Sequence, residues 1–344
     1  MDRADKDLAF LLQYENIAWY ENGKVRILDR RYYPLRTEYV ICNDYEDVVN
    51  AIKDMVTQSG GPYIAAKLGL ALAAYTARNR PKNEQIEYLE KAAFALSHAR
   101  PTTVMRMANT MDGCLIVAKD ALTKGLPIDQ AIFEYAIEDL NARYLMVSKI
   151  ANNLVDKFPN DGTVMTQCFA ETLIGFMLKK ASEKGKKIKI ICPETRPYLQ
   201  GSRLTASVVL DQGFNVTVIT DNMPGYVLKE KKVDLFTSGA DVICMDGYIV
   251  NKIGTFQIAL CAHYWGIPYF VTGQPIKYHD KKDTVIIEER DPDSVLQVMG
   301  IRIAKEGVNG FYPAFDITPP KLISGIVTEK GIFSPYNLES YFEE

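Results

Sequence analysis

Residues 16–41 alternate apolar and polar side chains with a period of two, and "IAWYENGKVRILD" interrupts that alternation at Asn22-Gly23, so the sequence predicts strands joined by a hairpin turn there. From Asp44 the period lengthens to that of a helix. "DYEDVVNAIKDMV" opens on cap-type residues, and "NEQIEYLEKAAFALSHAR" sets Ile86, Leu89, Ala93 and Leu96 on one face. "PTTVMRMANTMDGCLIVAKDALTKG" predicts a helix with Pro101 at its first position and a stop at Gly125. The stretch after it keeps Ile128, Ile132, Tyr135, Leu140 and Tyr144 in helical register. Residues 1–155 therefore predict a small β element followed by a helical domain.

After "FPNDG" short apolar runs alternate with helices: "TVMTQC", a helix from Glu171, "KIKIIC", a helix from Gly201, "NVTVIT", a short helix near 224–232, "VDLFTS", a helix from Thr255, and "PYFVTG". Such alternation predicts a parallel, doubly wound α/β sheet over residues 156–344, covered on both faces. Sheets of this kind bind ligands beyond the carboxyl ends of their strands. Neither GxGxxG after the first strand nor a P-loop is present, so a dinucleotide or nucleoside triphosphate has little support. Internal repeats and low-complexity segments are absent.

Composition narrows the function. The 344 residues are 47% hydrophobic and 24% charged with net charge −3, ordinary for a globular chain and without the basic stripe a nucleic-acid partner requires. The densest basic run, "KKASEKGKKIK", reads as a solvated helix end. No apolar run approaches a membrane span, and "MDRADKDLAF" resembles no export signal, which points to the cytoplasm. Six cysteines without a CxxC pair and three histidines without ligand spacing predict reduced thiols, with no structural metal and no disulfide.

The polar, glycine-bearing connections after the strands carry the candidate chemistry. Helix N-termini offer unpaired N–H groups and partial positive charge, which suit a phosphate. "NKIGT" adds Asn251, Lys252 and a glycine; "QGS" offers Gln200; "SGGP" presents the backbone of Gly60 and Gly61; "ARPT" supplies the Arg100 guanidinium. Together these predict a site for a small phosphorylated anion. Cys168 ends a strand, as small buried hydrophobes often do. If "VDLFTS" is the strand, Asp241 stands at its carboxyl end; if "DVICM" is, Asp246 does. Periodicity leaves both open.

The series "ARPT", "ETRPYLQGSRLTA", "ITDNMPGY", "GAD…NKIGT", "IEERDP" and "PAFDITPPKLISGIVTEKG" resembles the methylthioribose-1-phosphate isomerase family, over nearly the whole chain. Related branches are ribose-1,5-bisphosphate isomerases and the non-catalytic regulatory subunits of the translation-initiation exchange factor. The resemblance implies a Rossmann-like carboxyl-terminal domain, a homodimer, and a small sugar phosphate as partner. It also implies catalysis by Cys168 and by Asp241, the aspartate of "GAD", with substrate held by Gly60, Gly61, Arg100, Gln200, Asn251 and Lys252. No cofactor is implied.

An aldose 1-phosphate cannot open its ring unaided, because its anomeric oxygen is esterified. An acid must protonate the ring oxygen, and hydrogen must move from C2 to C1. A carboxyl kept protonated in an apolar pocket would supply that first proton, with the thiol as a second acid or base. Two stretches depart from the family pattern. "RGAP" is here "SGGP", without the arginine, and "THCNAG" is "TQCFAE", bringing in Gln167, Phe169 and Glu171. Both departures bear on which 5-substituent the sugar carries.

Overall fold

The computed structural model describes residues 3–100 and 104–343. The chain divides into two compact units, Met1–Leu145 and Met146–Glu344. The division falls inside a helix that ends at Val155.

In the first unit, β1 (Ala18–Glu21), β2 (Lys24–Leu28) and β3 (Tyr39–Cys42) form an antiparallel sheet in that order. Asn22 and Gly23 close the first hairpin with φ of 52° and 71°, the two left-handed residues such a tight turn needs. Helix α1 (Tyr45–Lys53) starts where the Asp44 carboxylate accepts the Asp47 N–H at 2.8 Å. Helix α2 (Gly61–Ala77) is apolar around its whole circumference and is buried along nearly its full length. Its one buried cation, Lys67, pairs with Asp139. Around it stand α3 (Lys82–Ser97), α4 (Val104–Lys124) and α5 (Ile128–Val155). Leu89, Ala93 and Leu96 of α3 are buried, as the spacing predicts, and so are Ile128, Ile132, Leu140 and Tyr144 of α5. The predicted start of α4 at Pro101 lies outside the described residues.

The second unit is built on β4 (Asp161–Thr166), β5 (Lys187–Pro193), β6 (Asn215–Ile219) and β7 (Leu235–Gly239). Between them run α6 (Thr172–Glu183), α7 (Ala206–Asp211) and α8 (Pro224–Glu230), with one wide π turn at Gly201–Thr205 ahead of α7. A two-residue strand, β8 (Val242–Ile243), then leads to β9 (Ile249–Lys252), α9 (Thr255–Tyr264) and β10 (Tyr269–Thr272). A short hairpin, β11 (Gln297–Val298) with β12 (Ile301–Arg302), precedes β13 (Phe315–Thr318), β14 (Gly325–Thr328) and β15 (Gly331–Phe333). The main sheet has the order β15-β14-β10-β7-β4-β5-β6, parallel except for β15. The central strand "LFTSG" is buried on both faces because helices cover both sides, and β5 is buried on both faces from Ile190 onward.

One feature departs from the parallel sheet that the alternation predicts. β8, β9 and β13 form a separate antiparallel sheet in the order β13-β9-β8. "IVNK" reads as loop because it ends on Asn251 and Lys252, yet all four residues are buried and paired.

Candidate active site

In the main sheet the chain winds from β4 outward to β5 and β6 on one side, and through β7 to β10 and β14 on the other. β4 and β7 are thus neighbours at the point where the order reverses, the usual place for a ligand crevice. Thr166 pairs with Thr237, so the two strands end nearly level. Cys168 follows β4 by two residues, and Asp241 follows β7 by two. Because β8 belongs to the other sheet, Asp241 is the aspartate at the strand end. Asp246 instead builds a turn, accepting the Tyr248 N–H at 3.3 Å and the Lys282 N–H at 3.0 Å.

Strain gathers in the loops around this point. Cys168, Glu171, Thr195 and Leu199 are all non-glycine residues with left-handed backbone, at φ of 59°, 44°, 64° and 57°. Thr205 Oγ1 donates to the Cys168 carbonyl at 2.5 Å and fixes that loop. The Asp221 carboxylate accepts the N–H groups of Thr195 at 2.8 Å and Arg196 at 2.6 Å, tying the "ETRPYLQGSR" loop to the end of β6. Gly201 lets this loop close: a Cβ there would stand 1.7 Å from the Pro193 carbonyl oxygen.

Burial pushes the partly exposed Cys168 thiol up to about 11. The positive charge of Lys252, the Phe169 N–H and the charge of Arg290 all act to lower it, while Asp241 raises it further. Lys252, Asp241 and Arg290 therefore all make themselves felt at the sulfur, and the thiol stays neutral near pH 7. The carboxyl of Asp241 is exposed, not enclosed in an apolar pocket as the acid role predicts, because its segment leaves the sheet edge to join β8.

Lys252 is buried opposite Phe315 in the β9–β13 pairing, its ammonium 4.7 Å from that ring's centre. Asn251 is buried too, and its amide donates to Thr255 Oγ1 at 3.0 Å, which itself donates to the Lys252 carbonyl at 2.7 Å. Gly254 has φ 101°, and a Cβ there would meet Gln167 Nε2 at 3.1 Å. Part of the N-terminus of α9 is already taken. Asp316 accepts the Gly254 N–H at 2.7 Å and the Phe256 N–H at 3.1 Å. Burial raises this carboxyl to about 6, against those two N–H bonds and the charge of Lys252. Gln200 is buried, and its Oε1, like that of Gln167, has no hydrogen-bond partner.

Gly60, Gly61 and Arg100 belong to the first unit. Gly60 precedes α2 and Gly61 is its first residue, where a Cβ would lie 1.9 Å from Thr57 Oγ1. The fully buried Arg30 holds this loop by donating to the Gln58 carbonyl at 2.8 Å. Arg100 is partly exposed, immediately before the undescribed residues 101–103.

The model of the initiation factor 2 subunit family matches residues 58–335. A methylthioribose-1-phosphate isomerase of Pelotomaculum thermopropionicum is 36% identical over 93% of this chain and 91% of its own. A putative methylthioribose-1-phosphate isomerase of Methanocaldococcus jannaschii is 38% identical over 93% and 95%. The chain belongs to the methylthioribose-1-phosphate isomerase family. That membership places it among isomerases. Its fold is similar to that of 5-methylthioribose 1-phosphate isomerase from Pyrococcus horikoshii, with TM-score 0.82 and 29% identity over 95% of each chain. It is also similar to translation initiation factor eIF-2B subunit delta from A. fulgidus, with TM-score 0.78 and 30% identity over 93% of this chain and 96% of that one. Among the described residues no helix is long and apolar enough to cross a membrane.

Sequence reasoning assigned no role to three residues that lie near Cys168 or Lys252: Arg290, Tyr312 and Asp316. The segments "IEERDP" and "PAFDITPP" contain all three save Tyr312, which precedes the second by one residue. A signal existed for Asp316, a charged residue inside the otherwise apolar "PAFDITPP"; Arg290 lies in the charged run "EERD" and Tyr312 carries no charge, so neither stands out.

Proposed function

We propose that this chain is an aldose–ketose isomerase that converts a 5-substituted ribose 1-phosphate to the ribulose 1-phosphate. Methylthioribose 1-phosphate, or a close analogue such as 5-deoxyribose 1-phosphate, is the substrate, and the working form is a homodimer. The observation that carries this reading is the juxtaposition of Cys168 and Asp241 beyond neighbouring strands, each charge-coupled to the other. Lys252, buried beside them, supplies the cation for the phosphate. Gln200 and Asn251 of the same unit complete the grip there, and the family resemblance implies Gly60, Gly61 and Arg100 as further substrate-binding residues.

Asp241 donates its proton to the ring oxygen, and the bond from C1 to that oxygen breaks, leaving C1 electron-poor. A thiol held near 11 is a weak base at neutral pH. On the route that needs no thiolate base, hydrogen moves from C2 to C1 with its electron pair, and the C2 hydroxyl returns its proton to the Asp241 carboxylate as the ketone forms. Atoms and electrons balance within the sugar, and Asp241 ends as it began. Cys168 contributes a neutral, polarizable, poorly hydrated surface against the reacting carbons, with buried Phe169 beside it.

Phosphorus NMR of the wild-type protein with a panel of ribose 1-phosphates tests the reading. Ketose product is expected from a 5-deoxy or 5-thio sugar. Turnover of ribose 1,5-bisphosphate alone would move the substrate to the related branch, and no turnover of any member would leave only a binding role.

A further inference from the structure

Arg290 reaches the crevice on a ribbon continuous with β13. Its N–H donates to the Tyr312 carbonyl at 2.9 Å, the Ala314 N–H donates to the Glu288 carbonyl at 2.8 Å, and Glu289 bridges Pro313. The guanidinium is thereby delivered beside the ring of Phe315, 5.7 Å from its centre, the same ring that Lys252 approaches. Tyr198, from the loop carrying Gln200, lies 5.9 Å from it. Two of its three nitrogens are used: Nε donates to Glu288 Oε1 at 2.7 Å and Nη2 to Oε2 at 3.3 Å.

The third nitrogen is the unusual one. The Arg290 side chain is 8% exposed and its Nη1 is buried without a hydrogen-bond partner. Tyr312, 3% exposed, lies in the field of that guanidinium and its hydroxyl meets it in a loosely aligned hydrogen bond, but it has no well-aligned partner. Burying polar groups whose hydrogen-bonding capacity is left largely unused is costly, so an arrangement that retains two side by side is suited to a further acceptor. Both groups also interact electrostatically with Cys168, and Arg290 shares the Phe315 ring with Lys252. Glu288 already matches the charge of Arg290, so what remains is a neutral unit with a strong donor and an amphoteric hydroxyl. That combination suits a sugar hydroxyl better than a phosphate dianion.

We propose that Arg290 Nη1 and Tyr312 Oη form a subsite for a hydroxyl oxygen of the bound pentose, beside Cys168 and distinct from the phosphate grip at Lys252. This rests on the isomerase reading above. Binding of ribose 1-phosphate and of inorganic phosphate is measured by calorimetry in a Cys168→Ser parent, with and without Arg290→Lys or Tyr312→Phe. Lysine keeps a cation beside Glu288 but loses the planar fork. The subsite requires ribose 1-phosphate to weaken about tenfold in Arg290→Lys and about three- to tenfold in Tyr312→Phe, with phosphate affinity unchanged within about twofold. Equal loss for both ligands would assign Arg290 to the phosphate grip, and no loss for either would remove the subsite; each overturns the proposal. If Arg290→Lys fails to fold, Tyr312→Phe, which deletes a single oxygen, decides alone. A parent that binds ribose 1-phosphate no better than phosphate overturns the isomerase reading and the subsite together, whereas a retained preference in both variants overturns the subsite only.

Discussion

The protonation state of Cys168 decides which route hydrogen can take between C2 and C1. With the thiol pushed up to about 11, four units above pH 7, only about one molecule in 10⁴ carries a thiolate at neutral pH. Alkylation by iodoacetamide follows the thiolate. Its rate at Cys168 is therefore expected to rise about tenfold per pH unit from pH 7 to pH 10 without levelling off. Cys168 and Cys261 are the two partly exposed cysteines, the other four being buried, so the assay is run on a Cys261→Ser protein with mass-spectrometric mapping. Lys252 is the largest influence opposing burial at this sulfur, and Lys252→Met is expected to push the midpoint further up and slow labelling at every pH. A rate that reaches its plateau below pH 9 would refute the argument. It would mean that the two cations outweigh burial, and Cys168 would regain a role as base.

Two further outcomes follow from the same geometry. Isomerisation run in D₂O is expected to place no deuterium at C1 of the ketose, as a direct shift from C2 requires; deuterium there, read by proton NMR, would demand exchange with a base. Asp316 sits about two units above its ordinary value, so the fold favours its protonated form. That stabilisation is complete below the ordinary carboxylate range and is lost as pH rises through about 6, at a cost of about 3 kcal/mol. Asp316→Asn, which keeps an oxygen for the Gly254 and Phe256 N–H groups, is expected to flatten melting temperature between pH 4 and pH 7; an unchanged slope would contradict the assignment.

What the sequence made legible was whatever repeats along the chain. The Asn22-Gly23 hairpin, the Asp44 cap of α1 and the alternation that builds β4 to β7 rest on local periodicity or turn chemistry, and each has its counterpart in the fold. The antiparallel pairing of β9 with β13 was not legible, because Lys252 and Phe315 meet across 62 intervening residues and "IVNK" looks polar when read alone. The identity of the aspartate at the strand end turned on β8 being two residues long and belonging to another sheet, which no period reveals. Helix ends misled in one respect: the donors of α9 were read as open, and the Asp316 carboxylate already occupies two of them. Arg290 and Tyr312 were missed because their significance lies in what they do not bond.

The central claim is that the Cys168 thiol and the Asp241 carboxyl act together on one phosphorylated pentose. Its most direct test is phosphorus NMR of ketose formation from a 5-deoxy or 5-thio ribose 1-phosphate by wild type, Cys168→Ser and Asp241→Asn, with circular dichroism showing that all three are folded. Steady conversion by wild type, none detectable by Asp241→Asn and a strongly reduced rate in Cys168→Ser is the expected result. Wild-type-like turnover in either variant would contradict it.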